Sequence, residues 1–439
     1  MPAIDRRADA DACPGALRLH AAADGPLARI RLPGGLLTGA QLAVVRDIAD
    51  RWGDGHAELT SRANLQLRAV TGAPAGTLAD RLGGAGLLPS PSHELVRNIL
   101  GSPLPTAAAV AALVADLDAR LCADPALAAL PGRFLFALDS GHGDVAGAAD
   151  VAAVFGETPA AEVRIIFAGQ DPGLRVDRNR AVTALLAAAH AFLDERAVAP
   201  GPDERAAGST LDRTERPSPP AWRLRELPDG PARVAARTAV ALELAAPTGA
   251  PSAVPPARPP APPVGVHRQP DGGWSAGALV PLGRLRRHQM SVLSAAPSLV
   301  ITPWRGVLVT GLPRDQAGAW LDRFAAAGLE VRPDSPWAGV TTCAGRPCCA
   351  KALADVRTDA GAAVAADGAR PSREHPADRL PVHWIGCARG CGSPAGPHVR
   401  VEATGDDYLV RAPSGAWREP HRSVGARAAE ARAVDMRSS

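Results

Sequence analysis

Lysine is almost absent from these 439 residues: Lys351 is the only one, so arginine carries nearly all the positive charge. Chemistry that needs a lysine proton donor is therefore excluded everywhere else in the chain. A strong net charge is missing too. The formal charge of +3 with no basic block argues against a partner such as nucleic acid or a membrane surface. No apolar run reaches the ~18 residues of a membrane helix. The opening MPAIDRRADADACPG mixes acids with arginines and has no apolar centre, so it does not read as a secretory signal. A cytoplasmic protein with reduced thiols is expected.

What the chain does have is a cluster of cysteines. Five of the seven, Cys343, Cys348, Cys349, Cys387 and Cys391, fall between Thr341 and Pro394, in TTCAGRPCCAKALADV and WIGCARGCGSP. Cys343 and Cys349 have five residues between them and Cys387 and Cys391 have three, with Gly386, Gly390 and Gly392 around the second pair. Neither spacing is the usual structural-zinc pattern. Soft thiolates in two clusters, with glycines that let backbone N–H groups approach sulfur, suit an iron-sulfur cluster better. Zinc and plain reduced thiols stay open at this point. Cys122 reads as a buried thiol at the end of an Ala/Leu helix over about 106–121.

The 46% hydrophobic share and the length point to several globular domains. LARIRLPGG reads as a strand closed by a turn, and Thr38 with Gln41 gives a capping-box start to a helix burying Leu42, Val45, Ile48, Ala49 and Trp52. LTSRANLQLR (59–68) reads as one alternating strand, with Arg62 and Gln66 about 13 Å apart on its polar face at ~3.3 Å per residue. A short helix from Thr77 completes a β-α-β-α unit. Between Pro247 and Pro263, eight of seventeen residues are proline, which reads as a semi-rigid linker.

Beyond that linker the first half is repeated. LVPLGRLRRHQM (279–290) parallels RLPGGLLTGAQL (31–42), with Pro281, Gly283 and Gln289 matching Pro33, Gly35 and Gln41. VITPWRGVLV (300–309) parallels LTSRANLQL, and VTTCAGRP (340–347) parallels VRNILGSP (96–103). Matched segments in one order imply an internal duplication. The expected architecture is α+β with ferredoxin-like half-domains at 15–85 and 265–332, larger domains at 86–212 and 333–420, a linker at 213–264 and a tail at 421–439.

LARIRLPGG, LTSRANLQL, VRNILGSPL and the two cysteine pairs together resemble the sulfite and nitrite reductase superfamily, whose members are duplicated and hold a four-iron four-sulfur (4Fe-4S) cluster beside a tetrapyrrole. The resemblance implies Cys343, Cys349, Cys387 and Cys391 as cluster ligands, with Cys348 spare and Cys391 nearest the tetrapyrrole. It also implies Arg29 and Arg97 facing a substrate anion, and Arg62 and Gln66 on tetrapyrrole carboxylates, with Asn98, Arg133 and Arg389 as further candidates. Charge-assisted arginine contacts of ~1.5–3 kcal/mol each suit such carboxylates.

Within the superfamily, DACPGALRLHAAADGPLARIRLPGG and TTCAGRPCCAKALADVRTDA most resemble the precorrin-3B synthases. The reductases carry two lysines after the first arginine motif, whereas here PGRFLFAL offers Arg133 and Leu135. The expectation is thus an oxygen-dependent monooxygenase converting precorrin-3A to precorrin-3B, with molecular oxygen as co-substrate and an electron donor that is either NAD(P)H-linked or ferredoxin-like. The resemblance further implies a mononuclear non-haem iron, for which His93, His142 and His383 are candidates. The alternatives are a siroheme-dependent sulfite or nitrite reductase and a non-catalytic tetrapyrrole or iron-sulfur carrier.

Overall fold

The computed structural model describes residues 13–74, 76–104, 107–156, 158, 161–198, 221–245, 252–253, 262–368, 380–394, 396–405, 407–413 and 417–418. The chain divides into two compact units. One comprises Gly15–Leu88, Pro103–Pro105 and Pro259–Ser439; the other comprises Met1–Pro14, Pro89–Ser102 and Thr106–Arg258. They are called the cysteine unit and the serine unit below, for the residues at their strand ends.

The cysteine unit contains both copies of the ferredoxin-like repeat. The first runs through strand Gly25–Ile30, a 3-10 turn at Pro33–Gly35, the short strand Leu36–Leu37, helix Gly39–Trp52, strands His56–Leu59 and Leu65–Leu67, and helix Thr77–Gly84. The second has the same order: Trp274–Leu279, Pro281–Gly283, Arg284–Arg286, Arg287–Leu293, Leu299–Ile301, Gly306–Leu312 and Arg314–Ala326. Each copy lends its short strand to the other. Leu36–Leu37 pairs antiparallel with Leu299–Ile301, and Arg284–Arg286 pairs with His56–Leu59. Each five-stranded sheet is thereby closed by a strand from the opposite repeat.

Matching glutamines do the same two jobs in both copies. Gln41 closes a capping box with Thr38 at 2.9 and 3.1 Å, and its Nε2 donates to Ala85 O at 3.0 Å, at the end of the next helix. Gln289 Oε1 accepts from Arg286 N at 2.9 Å, and its Nε2 donates to Ala327 O at 3.1 Å. A cap of this kind contributes ~1 kcal/mol. Leu42, Val45, Ile48 and Ala49 are buried as their spacing requires, and Trp52 is partly covered, with Arg81 over its ring.

The single strand expected over 59–68 is instead a hairpin. Thr60 N donates to Asn64 O at 2.9 Å, Thr60 Oγ1 accepts from Asn64 N at 3.1 Å, and Ala63 sits at φ 55°. A threonine hydroxyl that satisfies the backbone locally competes with the sheet ladder, so the chain turns here. The second copy turns identically at Thr302 and Gly306, with Arg305 at φ 60°. Arg62 therefore lies in the turn, and the 13 Å spacing on one strand face does not hold.

The cysteine unit also carries a sheet in which Val340–Thr342, Val382–Ile385 and Val399–Ala403 run parallel and Tyr408–Arg411 closes antiparallel. Its core is Val340, Val356, Val382, Trp384, Val399, Val401 and Val410. The serine unit has the same arrangement. Ile99–Gly101, Phe136–Asp139 and Val151–Val154 run parallel, and Val163–Phe167 closes antiparallel. Phe134, Phe136 and Phe192 pack there with ring centroids 5.0 and 4.8 Å apart.

Within the 213–264 linker, residues 213–220 lie outside the described residues, and helix Gly230–Ala241 packs on helix Ala181–Val198. Apart from Ser252–Ala253 and residues 262–263, the proline-rich stretch from Pro247 to Pro263 lies outside the described residues, as does the tail at 421–439. Among the described residues no helix is long and apolar enough to cross a membrane.

Gly35 has φ 71°, and a Cβ there would stand 2.0 Å from Ile301 O of the exchanged strand pair. Gly35→Ala is expected to cost at least ~2 kcal/mol in chemical denaturation. Gly318, exposed in helix Arg314–Ala326 with nothing within 4 Å of its would-be Cβ, gives the opposite sign, Gly318→Ala stabilising by ~1 kcal/mol.

Candidate metal centre and anion ladder

The ligand loops leave the carboxyl ends of two neighbouring parallel strands, the usual place for a site in such sheets. Cys343 follows Val340–Thr342, and its N–H donates to Trp384 O at 2.8 Å. Gly386, directly after Val382–Ile385, donates its N–H to Cys343 Sγ at 3.2 Å. A Cβ at Gly386 would stand 2.6 Å from Ala352 Cβ, so only glycine brings this amide to the sulfur. Cys349 N donates to Gly345 O at 2.8 Å, and Gly345 itself sits at φ 67° against Val356. Gly390 and Gly392, at φ 62° and 82°, bend the Cys387–Cys391 loop.

Burial pushes the Cys391 thiol up; Arg389 opposes this, and Cys343, Cys387 and Cys349 reinforce it. The other three thiols thus lie within electrostatic reach of Cys391, which is the most exposed of the four. Among the described residues no three His, Cys, Asp or Glu side chains could hold a single metal ion. A four-iron cubane is larger than one ion, and its thiolates stand correspondingly farther apart. The donor set, all soft sulfur with an N–H aimed at one of them, fits such a cluster better than zinc.

The histidines offered for a mononuclear iron are otherwise engaged. His93 holds Ser90, Ser92 and Asp124 O, and His142 holds Ser140 Oγ, both in the serine unit. In the cysteine unit, His383 is buried, bonded to Thr341 Oγ1 at 2.8 Å and Cys391 O at 3.0 Å, and burial pushes its pKa down to about 4. It braces the Cys391 turn as a neutral ring. The expected two-histidine, one-carboxylate group is therefore not assembled among the described residues.

In the cysteine unit a polar ladder crosses four strands of one sheet. Arg29 is paired opposite Gln66, Gln66 opposite Glu58, and Glu58 opposite Arg284. Arg29 Nη2 donates to Gln66 Oε1 at 3.0 Å, and Gln66 Nε2 donates to Glu58 Oε2 at 2.7 Å. Glu58 Oε1 also receives Arg357 and lies 3.4 Å from Arg284 Nε. Sequence spacing does not reveal Glu58, Arg284 and Arg357, because strand register sets Glu58 opposite Arg284 and Arg357 reaches Glu58 from helix Val356–Gly368.

Other sequence candidates stand elsewhere. In the serine unit, Arg97 is buried and forks onto Asp118 with two bonds of 2.7 Å, so that guanidinium is committed to a carboxylate of its own unit. Asn98 Nδ2 ties Leu95 O and Gly132 O, each at 3.0 Å, and Arg133 lies 4.5 Å over the Trp222 ring. In the cysteine unit, Arg389 is exposed on the ligand loop.

The structure also shifts the repeat by three residues. Ser102 N donates to Leu138 O at 3.0 Å, as Cys343 N does to Trp384 O, and Ser140 N donates to Ser102 Oγ at 2.9 Å, as Gly386 N does to Cys343 Sγ. The counterpart of Cys343 is therefore Ser102, and not Ile99 as the match of VTTCAGRP to VRNILGSP has it. Hydrogen bonding at the strand end, rather than residue similarity, fixes the equivalence.

Residues 20–85 match the family described as the nitrite/sulfite reductase ferredoxin-like half domain. Across 392 residues, 84% of this chain and 74% of the relative, the sequence is 26% identical to the ferredoxin–nitrite reductase of Synechococcus elongatus. A 78-residue stretch is 41% identical to the ferredoxin–nitrite reductase of Leptolyngbya laminosa, covering 17% and 15% of the two chains. In three dimensions, 93% of the chain superposes on 80% of the Mycobacterium tuberculosis NirA protein, with a TM-score of 0.69 and 18% identity.

This chain is nitrite/sulfite reductase-like. The kinship is to oxidoreductases, and the duplicated α+β fold with ferredoxin-like half-domains is that of NirA. The expected oxygen-dependent conversion of precorrin-3A is corrected by the same comparisons, since the relatives are named as nitrite reductases. The missing lysine pair concerns proton delivery at one place, while the match runs along most of the chain.

In the serine unit, the loop after Phe136–Asp139 has no cysteines. Asp139 there accepts four backbone N–H bonds of 2.9–3.0 Å, and Asp144 accepts from Ser102. Burial pushes Asp144 up to about 7; the Ser102 bond opposes this, and the nearby Asp139 charge adds to it. Because this folded value lies above the unfolded 3.8, its stabilisation is complete below about pH 4 and is lost as pH rises through about 7. Comparing denaturation at pH 5 and pH 8, the wild type is expected to lose on the order of 2 kcal/mol more than Asp144→Asn. Equal pH slopes would refute the assignment.

Proposed function

We propose that this chain is a siroheme- and 4Fe-4S-dependent reductase whose substrate is nitrite, taking its electrons from a ferredoxin. The observation that carries this reading is the match of 84% of the chain to a relative named ferredoxin–nitrite reductase, in a chain whose loops after two neighbouring parallel strands carry four cysteines. Cys343, Cys349, Cys387 and Cys391 hold the cluster, with Cys391 nearest the tetrapyrrole. When bound, the siroheme and cluster supply electrons to the anion.

The remaining work falls to this chain's own side chains. Gly386 N–H, donating to Cys343 Sγ, stabilises negative charge on that sulfur and so favours the reduced cluster. Arg29, steadied by Gln66, offers a permanently charged guanidinium to an anion, and Arg62 and Gln66 take ring carboxylates. Arg97 is assigned to its Asp118 pair rather than to the anion. Lys351 is exposed on the ligand loop and is the only lysine, so protons reach the site by a route that uses no lysine pair.

Purified with iron, sulfide and siroheme supplied, the protein is expected to show an intense haem band and to consume nitrite with reduced ferredoxin; sulfite is the comparison substrate. Cys391→Ser should lose the cluster and all turnover. A preparation that holds four irons but binds no tetrapyrrole and reduces neither anion would sink the proposal.

A further inference from the structure

Cys348 stands beside Cys349 and is not one of the four cysteines assigned to the cluster. Its side chain and backbone are held by another set of groups, all in the cysteine unit. Arg68 is 5% exposed and forks onto Asp24 with bonds of 2.7 and 2.8 Å. The same Arg68 Nη2 donates to Cys348 O at 3.0 Å. Arg357 Nη1 donates to Cys348 Sγ at 3.7 Å, while its Nη2 binds Glu58. Asp24 and Arg68 flank the first ferredoxin-like sheet, and Glu58 belongs to one of its strands.

We infer that Cys348 is a positioning residue: Arg68, itself held by Asp24, grips its carbonyl and Arg357 its thiol, and together they fix the loop that presents Cys349 to the cluster. The inference rests on the assignment of Cys343, Cys349, Cys387 and Cys391 as cluster ligands. It gives the fifth cysteine a task that neither ligation nor spare packing supplies. One buried and one half-buried guanidinium, Arg68 and Arg357, converge on one residue of a loop that is otherwise steadied by main-chain bonds to Gly345, Ala354 and Gly386. Charge-assisted bonds at low exposure are the strong ones, so their loss reaches the neighbouring ligand.

The test reads the cluster and not turnover. Iron and sulfide content, electron paramagnetic resonance g-values of the reduced cluster, and the rate of iron loss to a chelator are measured on the full chain. Cys348→Ala should keep four irons, shift the g-values and lose iron roughly tenfold faster, the effect of removing one charge-assisted hydrogen bond. Cys348→Ser, which retains an acceptor for Arg357 Nη1, should stay near wild type. Arg68→Lys, which keeps the charge but not the fork, should behave like Cys348→Ala.

If Cys348→Ser falls below four irons, Cys348 is a ligand and the inference is wrong; if Cys348→Ala matches wild type in all three readouts, the thiol positions nothing. Should Arg68→Lys not fold, the two Cys348 variants decide alone. Retention of four irons by Cys349→Ser would instead overturn the underlying ligand assignment.

Discussion

Everything in the cysteine unit depends on the reciprocal exchange of two short strands. A two-residue strand, Leu36–Leu37, has too few backbone bonds to persist by itself, and so has Arg284–Arg286 with three residues. Each is held because the other repeat supplies an edge to pair with, which also removes an exposed edge from each sheet. The exchange brings the backbones close enough that Gly35 meets Ile301 O. It also sets Arg284 opposite Glu58, so that a residue more than two hundred positions downstream completes the polar ladder.

The same economy governs the ligand loops. A parallel strand ends, the next residue exposes its side chain beyond the sheet, and the amide after the neighbouring strand points back at it. In one unit the side chain is Cys343 and the amide is Gly386; in the other they are Ser102 and Ser140. The backbone scaffold of a sulfur site thus exists twice, and chemistry separates the copies. A thiolate accepts an N–H while binding soft metal, whereas a hydroxyl accepts an N–H and passes its own proton to Asp144. The serine copy closes its loop on Asp139, which four amides satisfy internally, and so needs no metal to order it.

Much of this was legible beforehand, and the failures share a cause. Helix starts, buried faces and the Gln41/Gln289 match follow from local spacing, which survives folding. The cysteine pairs, their glycines and the duplicated family resemblance were visible for the same reason. The 59–68 segment misled because alternation of side chains looks alike in a strand and in a hairpin whose turn residues happen to alternate. Only Thr60, whose hydroxyl caps the turn, carried the distinguishing signal. Glu58, Arg284 and Arg357 were invisible because sheet register and a 299-residue separation bring them together. Function was misjudged for a different reason: one local departure at Arg133 and Leu135 was weighed above the pattern of the whole chain.

The near-absence of lysine then takes on a more specific meaning. Glu58 serves Arg284 and Arg357 at once, and its charge also bears on Arg305 and Arg68. Asp24 on Arg68 and Asp54 on Arg284 bring the carboxylates around these four guanidiniums to three, and the guanidiniums keep their charge at every pH the protein meets. Burial works against Arg305 carrying its charge, and the resulting cost is offset most directly by a nearby anion. Ammonium groups in the same places would relieve that cost by losing protons. Arginine cannot do so, and the charge it keeps suits holding anions rather than donating protons.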